Sequence, residues 1–116
     1  MNFLPGKLRR NGASSAVEAS DGTRLALANG VTGDDGADIV FGIRPEHLMR
    51  AESGLSGAVE VIEPTGADTI LFATVVGNQV CAVFDERVAY KPGDRITLAP
   101  RPGAVHVFDP GSGKHL

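Results

Sequence analysis

Within the stretch Gly42-Ile43-Arg44-Pro45-Glu46-His47-Leu48, a guanidinium, a carboxylate and an imidazole follow one another almost without interruption. Arg44 can grip a carboxylate, or a row of backbone carbonyls, through its planar fork of donors. Pro45 fixes φ and stops a strand, which aims Glu46 and His47 outward. Such chemistry suits a contact. Arg44 and Glu46 hold this turn at a domain or subunit boundary, or they satisfy the turn alone. An unperturbed imidazole titrates at about pH 6.5, so His47 is open to pH sensing as well as to hydrogen bonding.

Other chemistry is poorly provided for. Glu46, His47 and Ser53 are the residue types of an acid–base pair and a nucleophile, but sequence neighbours point different ways, and no nucleophile elbow or oxyanion hole accompanies them. A phosphate loop needs glycines ending in Gly-Lys and then Ser or Thr, so that backbone N–H groups cradle phosphate and a hydroxyl holds magnesium. Here Gly6-Lys7 runs into Leu8, and Gly113-Lys114 into His115. ATP hydrolysis by that route is excluded, and the chain is expected to be no enzyme and to hold no cofactor. His47, His106 and His115 lack the close spacing of a metal site, and Asp34-Asp35 lacks the alternating oxygens of a calcium loop, so no metal is expected. His106, between Val105 and Val107, is expected on a solvated strand face. Cys81 is the only cysteine. It forms no intramolecular disulfide and, inside Val80-Cys81-Ala82-Val83-Phe84, is expected to be a buried structural thiol.

Length and charge narrow the classes further. The 116 residues fit one domain, 1–116. The net charge is −3, tryptophan is absent and aromatics make up 5%, which argues against nucleic acid as a partner. No apolar run approaches the length of a membrane span, and Met1–Gly6 is no signal peptide. Membrane association is therefore expected only through a partner.

The elements that must position the charged turn read as short β segments between turn residues. Strands are expected at Leu8–Arg10 (weakly), Ala16–Ala19, Arg24–Leu27, Ala37–Arg44, Gly57–Glu63, Thr69–Val76, Gln79–Phe84, Ile96–Leu98 and Val105–Phe108. Asp21-Gly22 and Gly77-Asn78 mark hairpins. Pro64–Asp68 reads as a connection, Pro45–Met49 as one helical turn, and Asp109–Lys114 as turn and tail. About nine strands at this spacing predict an all-β fold, a small antiparallel OB-like barrel or a pair of barrels.

Four phrases, in order, resemble one family. Met1-Asn2-Phe3-Leu4-Pro5-Gly6 resembles the junction that ends the ATPase part of sugar-importer and glycerol-phosphate-importer ATPases. Gly42–Leu48 resembles the most specific motif of their C-terminal regulatory domain. Val59–Thr69 is similar to the strand and turn after it, and Val107-Phe108-Asp109-Pro110 to the terminal phrase. The resemblance implies a transport-associated OB (TOBE) domain that helps two ATPase subunits pair. Its implied partners are its own ATPase domain, a second copy and, indirectly, the membrane permease, with a cytoplasmic location at the inner membrane. ATP and magnesium would belong to the ATPase domain, which this chain lacks. Gly42, Arg44, Pro45, Glu46 and His47 are the motif and interface residues it implies. The competing reading is a stand-alone barrel for an oxyanion such as molybdate, with Ser14-Ser15 and Thr65-Gly66 as donors.

Overall fold

Apolar side chains at every second position, interrupted by glycine-bearing turns, build antiparallel sheet throughout the chain. The computed structural model describes residues 1–28 and 30–116. Among them are β1 (Asn2–Asn11), β2 (Ser14–Ala19), β3 (Arg24–Ala26), β4 (Asp38–Ile43), a 3-10 turn (Pro45–His47), β5 (Leu48–Thr65), β6 (Asp68–Val75), β7 (Asn78–Phe84), β8 (Arg95–Pro100) and β9 (His106–Phe108). One sheet has the order β3-β2-β1-β4-β9 and the other β7-β6-β5-β8. The fold is all-β, as the turn spacing predicts.

The inner faces share one core. Leu4, Leu8, Val17, Phe41 and Ile43 of the first sheet join Leu55, Val59, Leu71, Val75 and Leu98 of the second in one buried cluster. Each such side chain contributes about 1.5–3 kcal/mol by leaving water. Gly6 keeps this packing tight, because a Cβ there would lie 3.1 Å from the Phe41 ring and 2.8 Å from the Glu18 carbonyl oxygen.

Several elements differ from the sequence expectation. The weak strand at Leu8–Arg10 is the end of a ten-residue strand that starts at Asn2. Pro5 sits within it because β2 pairs only from Gly6 onward, so Pro5 faces one neighbour and its missing N–H breaks no ladder there. The helical turn ends at His47 rather than Met49, because Leu48 is drawn into β5 opposite Pro100. β5 then runs through Pro64 and Thr65. Its second neighbour, β8, pairs only as far as Ala58, and Pro64 again has one strand beside it. The β6–β7 hairpin turns at Val76-Gly77, with φ of 50° and 76°, one residue earlier than expected, while Asn78 pairs with Val75. Val76 holds an unfavourable conformation for a β-branched residue, offset by packing against the core.

The tail is also more ordered than a turn and free end. The Asp109 carboxylate accepts from the Ser112 backbone N–H (2.7 Å) and hydroxyl (2.8 Å), which folds the chain back. His115 then pairs with Phe108, and the Leu116 N–H donates to the Val107 carbonyl. His106 is consequently half-buried, its ring centroid 5.5 Å from that of His115, and not on a freely solvated face. Cys81 is half-buried rather than fully enclosed, and desolvation raises its thiol pKa.

The two sheets are also joined by one side chain. The Asn2 amide nitrogen donates to the Cys81 carbonyl (2.7 Å) and the Ile43 carbonyl (3.2 Å), and its oxygen accepts from the Cys81 N–H (2.8 Å). The amide thus does at the β7 edge what a neighbouring strand would do. Asn2→Ala leaves both Cys81 groups unpaired and should lower stability by about 1–3 kcal/mol, read as a lower urea midpoint at unchanged slope.

Candidate functional site

The charged turn lies where the two sheets exchange the chain. Arg44 leaves β4 with φ −68° and ψ 143°, Pro45 opens the 3-10 turn, and the Leu48 N–H closes it on the Pro45 carbonyl. The His47 N–H donates to the Arg44 carbonyl (2.9 Å), and the His47 carbonyl accepts from the Arg101 N–H (2.8 Å). The turn's conformation is therefore satisfied by backbone alone. Among the described residues, neither the Arg44 guanidinium nor the Glu46 carboxylate makes an ion pair or a side-chain hydrogen bond, and both are exposed.

The remaining motif residues differ in placement. His47 does not point outward as expected. It is half-buried, and its Nδ1 is enclosed without a hydrogen-bond partner. Gly42 is buried in β4, opposite Phe3, away from the turn itself. Ser53 is exposed in a separate feature of β5 and forms no bond to Glu46 or His47.

That feature is a wide bulge. Arg50 and Leu55 both stand opposite Leu98, so residues 51–54 loop out of β5. Gly54 permits it: φ is 146°, and a Cβ would lie 2.5 Å from the Leu98 carbonyl oxygen. Beside the bulge and the charged turn opens a cleft of about 720 Å³. Five carboxylates (Glu46, Glu52, Asp68, Asp85 and Glu86) line it against two guanidiniums, Arg50 and Arg101. Arg50 is engaged by Glu86 at 2.5 Å and lies 6.0 Å from the Phe84 ring centroid. Hydrogen bonds to Glu86 first, and to Tyr90, hold its guanidinium more firmly protonated. The cleft repels anions. Sequence reasoning missed it, and an isolated Gly54 within an otherwise strand-like run was the available signal.

The donors proposed for an oxyanion do not converge. Ser14 and Ser15 lie in β2 of the first sheet, whereas Thr65 and Gly66 lie at the β5–β6 hairpin of the second. The guanidiniums beside the serines are occupied. Arg9 pairs with Glu18 at 2.5 Å, Arg24 reaches the same carboxylate at 3.8 Å, and Arg10 donates to the Val31 and Gly33 carbonyls. Among the described residues, no group of three or more His, Cys, Asp or Glu side chains is gathered as metal ligands would be.

Family models divide the chain near the charged turn. Residues 1–48 match the MalK OB fold domain, and residues 41–108 match the TOBE domain. The chain belongs to the TOBE domain family. Along its whole length it is 40% identical to an uncharacterized ABC transporter ATP-binding protein of Sinorhizobium fredii, of which it covers 31%. It is 32% identical to the sn-glycerol-3-phosphate import ATP-binding protein UgpC of Cereibacter sphaeroides, covering 32% of that protein. The sulfoquinovosyl glycerol transport ATP-binding protein SmoE of Agrobacterium fabrum is 34% identical over 94% of the chain, which covers 31% of it. The TOBE chain thus spans about a third of the curated relatives it matches. Among solved structures, the cytoplasmic molybdate-binding protein ModG aligns with a TM-score of 0.66 and 17% identity, over 91% of this chain and 94% of ModG. That likeness concerns the fold.

The Arg9 hydrogen bond, opposed by partial desolvation, holds the Glu18 carboxyl below its usual range, and Lys7 does the same for Asp38. A lowered folded pKa stabilises above the unfolded value, at about pH 4.3 for Glu, and that stabilisation is lost as pH falls through the folded value. Wild type should therefore exceed Glu18→Gln in urea midpoint at pH 7, and the difference should shrink as the pH falls below about 4.3.

Proposed function

We propose that this TOBE chain is the regulatory and dimerisation domain of the ATP-binding subunit of an ABC importer, for a sugar, polyol or glycerol phosphate. The reading is carried by the match of all or nearly all of the chain to about a third of importer ATP-binding proteins, UgpC and SmoE among them. Its partners are an ATPase domain of the same polypeptide, a second copy of the subunit and, through these, the permease. ATP and magnesium are bound by the ATPase domain. The domain itself does no catalysis, consistent with a sequence lacking a phosphate loop. It works in the cytoplasm at the inner membrane; no helix among the described residues is long and apolar enough to cross a bilayer.

The turn Arg44–His47 supports an interface at this position. Its backbone satisfies itself, so Arg44 and Glu46 are spare charges carried on a fixed turn. A guanidinium and a carboxylate two residues apart are self-complementary: two copies facing each other across a twofold axis could exchange Arg44–Glu46 pairs. In the complete subunit, Arg44→Ala should weaken dimerisation at least about tenfold by sedimentation analysis, with the unfolding midpoint unchanged. A dimer of undiminished affinity with normal transport would remove the turn from the interface.

An oxyanion-binding barrel is the second reading, favoured by the fold likeness to ModG. The separation of Ser14-Ser15 from Thr65-Gly66 and the engaged arginines weigh against it. Calorimetric titration with molybdate, tungstate and phosphate should show no saturable heat. Micromolar binding of any of the three would reverse the order of the two readings.

A further inference from the structure

The outer face of the first sheet carries an apolar strip that the charged turn does not explain. Phe3 is 56% exposed and Met1 45%. Phe3 stands opposite Gly42, Pro5 opposite Val40, and Val40 opposite Phe108. These residues alternate with the buried Leu4, Phe41 and Val107, so they share the outward face. The Phe3 and Phe108 rings meet edge to face with centroids 5.8 Å apart. Beneath them, a Cβ on Gly42 would lie 2.5 Å from Met1 Sδ and 3.3 Å from Phe108 Cε2. Gly42 therefore keeps the strip flat. The Lys7–Asp38 ion pair, at 2.8 Å, borders it. An exposed aromatic centre with a charged border is the composition of a docking surface.

The place of Met1 and His115 on the sheet and the greater length of the relatives bear on what docks. Met1 lies over Gly42, and the tail returns along β9 to pair His115 with Phe108, the two rings 5.1 Å apart. Both ends thus reach the same strip. The relatives continue for about two thirds of their length beyond the matched part. Polypeptide joined at either end emerges beside Phe3 and Phe108.

We propose that the strip centred on Phe3 and Phe108 is the seat of the ATPase domain of the same polypeptide, which docks there within the subunit. The inference rests on the reading that this chain is part of an ATP-binding subunit. A short tether raises the effective concentration of the two domains to about millimolar, so a modest apolar contact is enough to keep them docked.

Carbene footprinting of the 116-residue chain, beside the product of its complete reading frame, tests this. Exposed Phe3 should label strongly in the short chain and several-fold less in the longer product, with half-buried Phe108 following in the same direction. Val61, 44% exposed on the other sheet, should label equally in both. Phe3→Ser should leave the urea midpoint of the short chain unchanged and accelerate proteolysis between the domains of the longer product several-fold. An ATPase domain joined to the chain with Phe3 labelling undiminished overturns the docking surface alone. A reading frame that ends at these 116 codons overturns the parent reading and the docking together. Protection of Phe3 already in the short chain, with a dimer by light scattering, gives the strip to a second copy and overturns the proposal.

Discussion

Two sheets that share an apolar core need directional contacts to fix their relative position, and the Asn2 amide supplies such a contact here. Its three hydrogen bonds tie the first residue of β1 to the Ile43 carbonyl within one sheet and to both backbone groups of Cys81 in the other. Hydrophobic attraction is non-directional, so it does not by itself single out one register of the two sheets. A paired amide does, because a displacement of about an ångström leaves backbone groups without partners. The same contact covers part of the β7 edge, which would otherwise present free N–H and C=O groups. At the crossing from β4 to β5 the charged turn has a second anchor, the Arg101 N–H on the His47 carbonyl.

The turn and the cleft show how one fold supplies both rigidity and spare charge. Backbone hydrogen bonds alone close Pro45–His47, so its side chains are not needed for local structure. In the cleft, by contrast, Arg50 is committed to Glu86 and placed over Phe84. The bulge at residues 51–54 makes the difference. It lets β5 follow β8 on both sides of Leu98 while moving Glu52 and Ser53 off the ladder.

Much of this was legible in the sequence. Alternation announced the β6–β7 hairpin, and Asp21-Gly22 announced the β2–β3 turn, where the Thr23 N–H closes on the Asp21 carboxylate. What escaped detection depends on partners distant in the chain. Asn2 and Cys81 are 79 positions apart, and nothing periodic in either segment links them. Pro64 argued for a connection, yet it stands, like Pro5, where a strand has only one neighbour, a fact set by topology and not by composition. Gly42 falls within the strand expected at Ala37–Arg44, but nothing in the sequence placed Met1 and Phe108 against it on the sheet's outer face. His47, grouped with Glu46 by position, faces inward because the 3-10 turn rotates successive side chains by about a third of a turn.

The return of the tail along β9, beside Met1, has a consequence for how such a module can be inherited. A fold that the chain enters and leaves through one face can be spliced onto another polypeptide without rerouting a strand or threading a loop. The β5–β6 hairpin at Gly66-Ala67 is exposed, so the chain could be opened there without breaking a buried pairing. A chain permuted at that point would keep every strand pairing of the two sheets, because the pairings depend on position and not on which strand is encoded first.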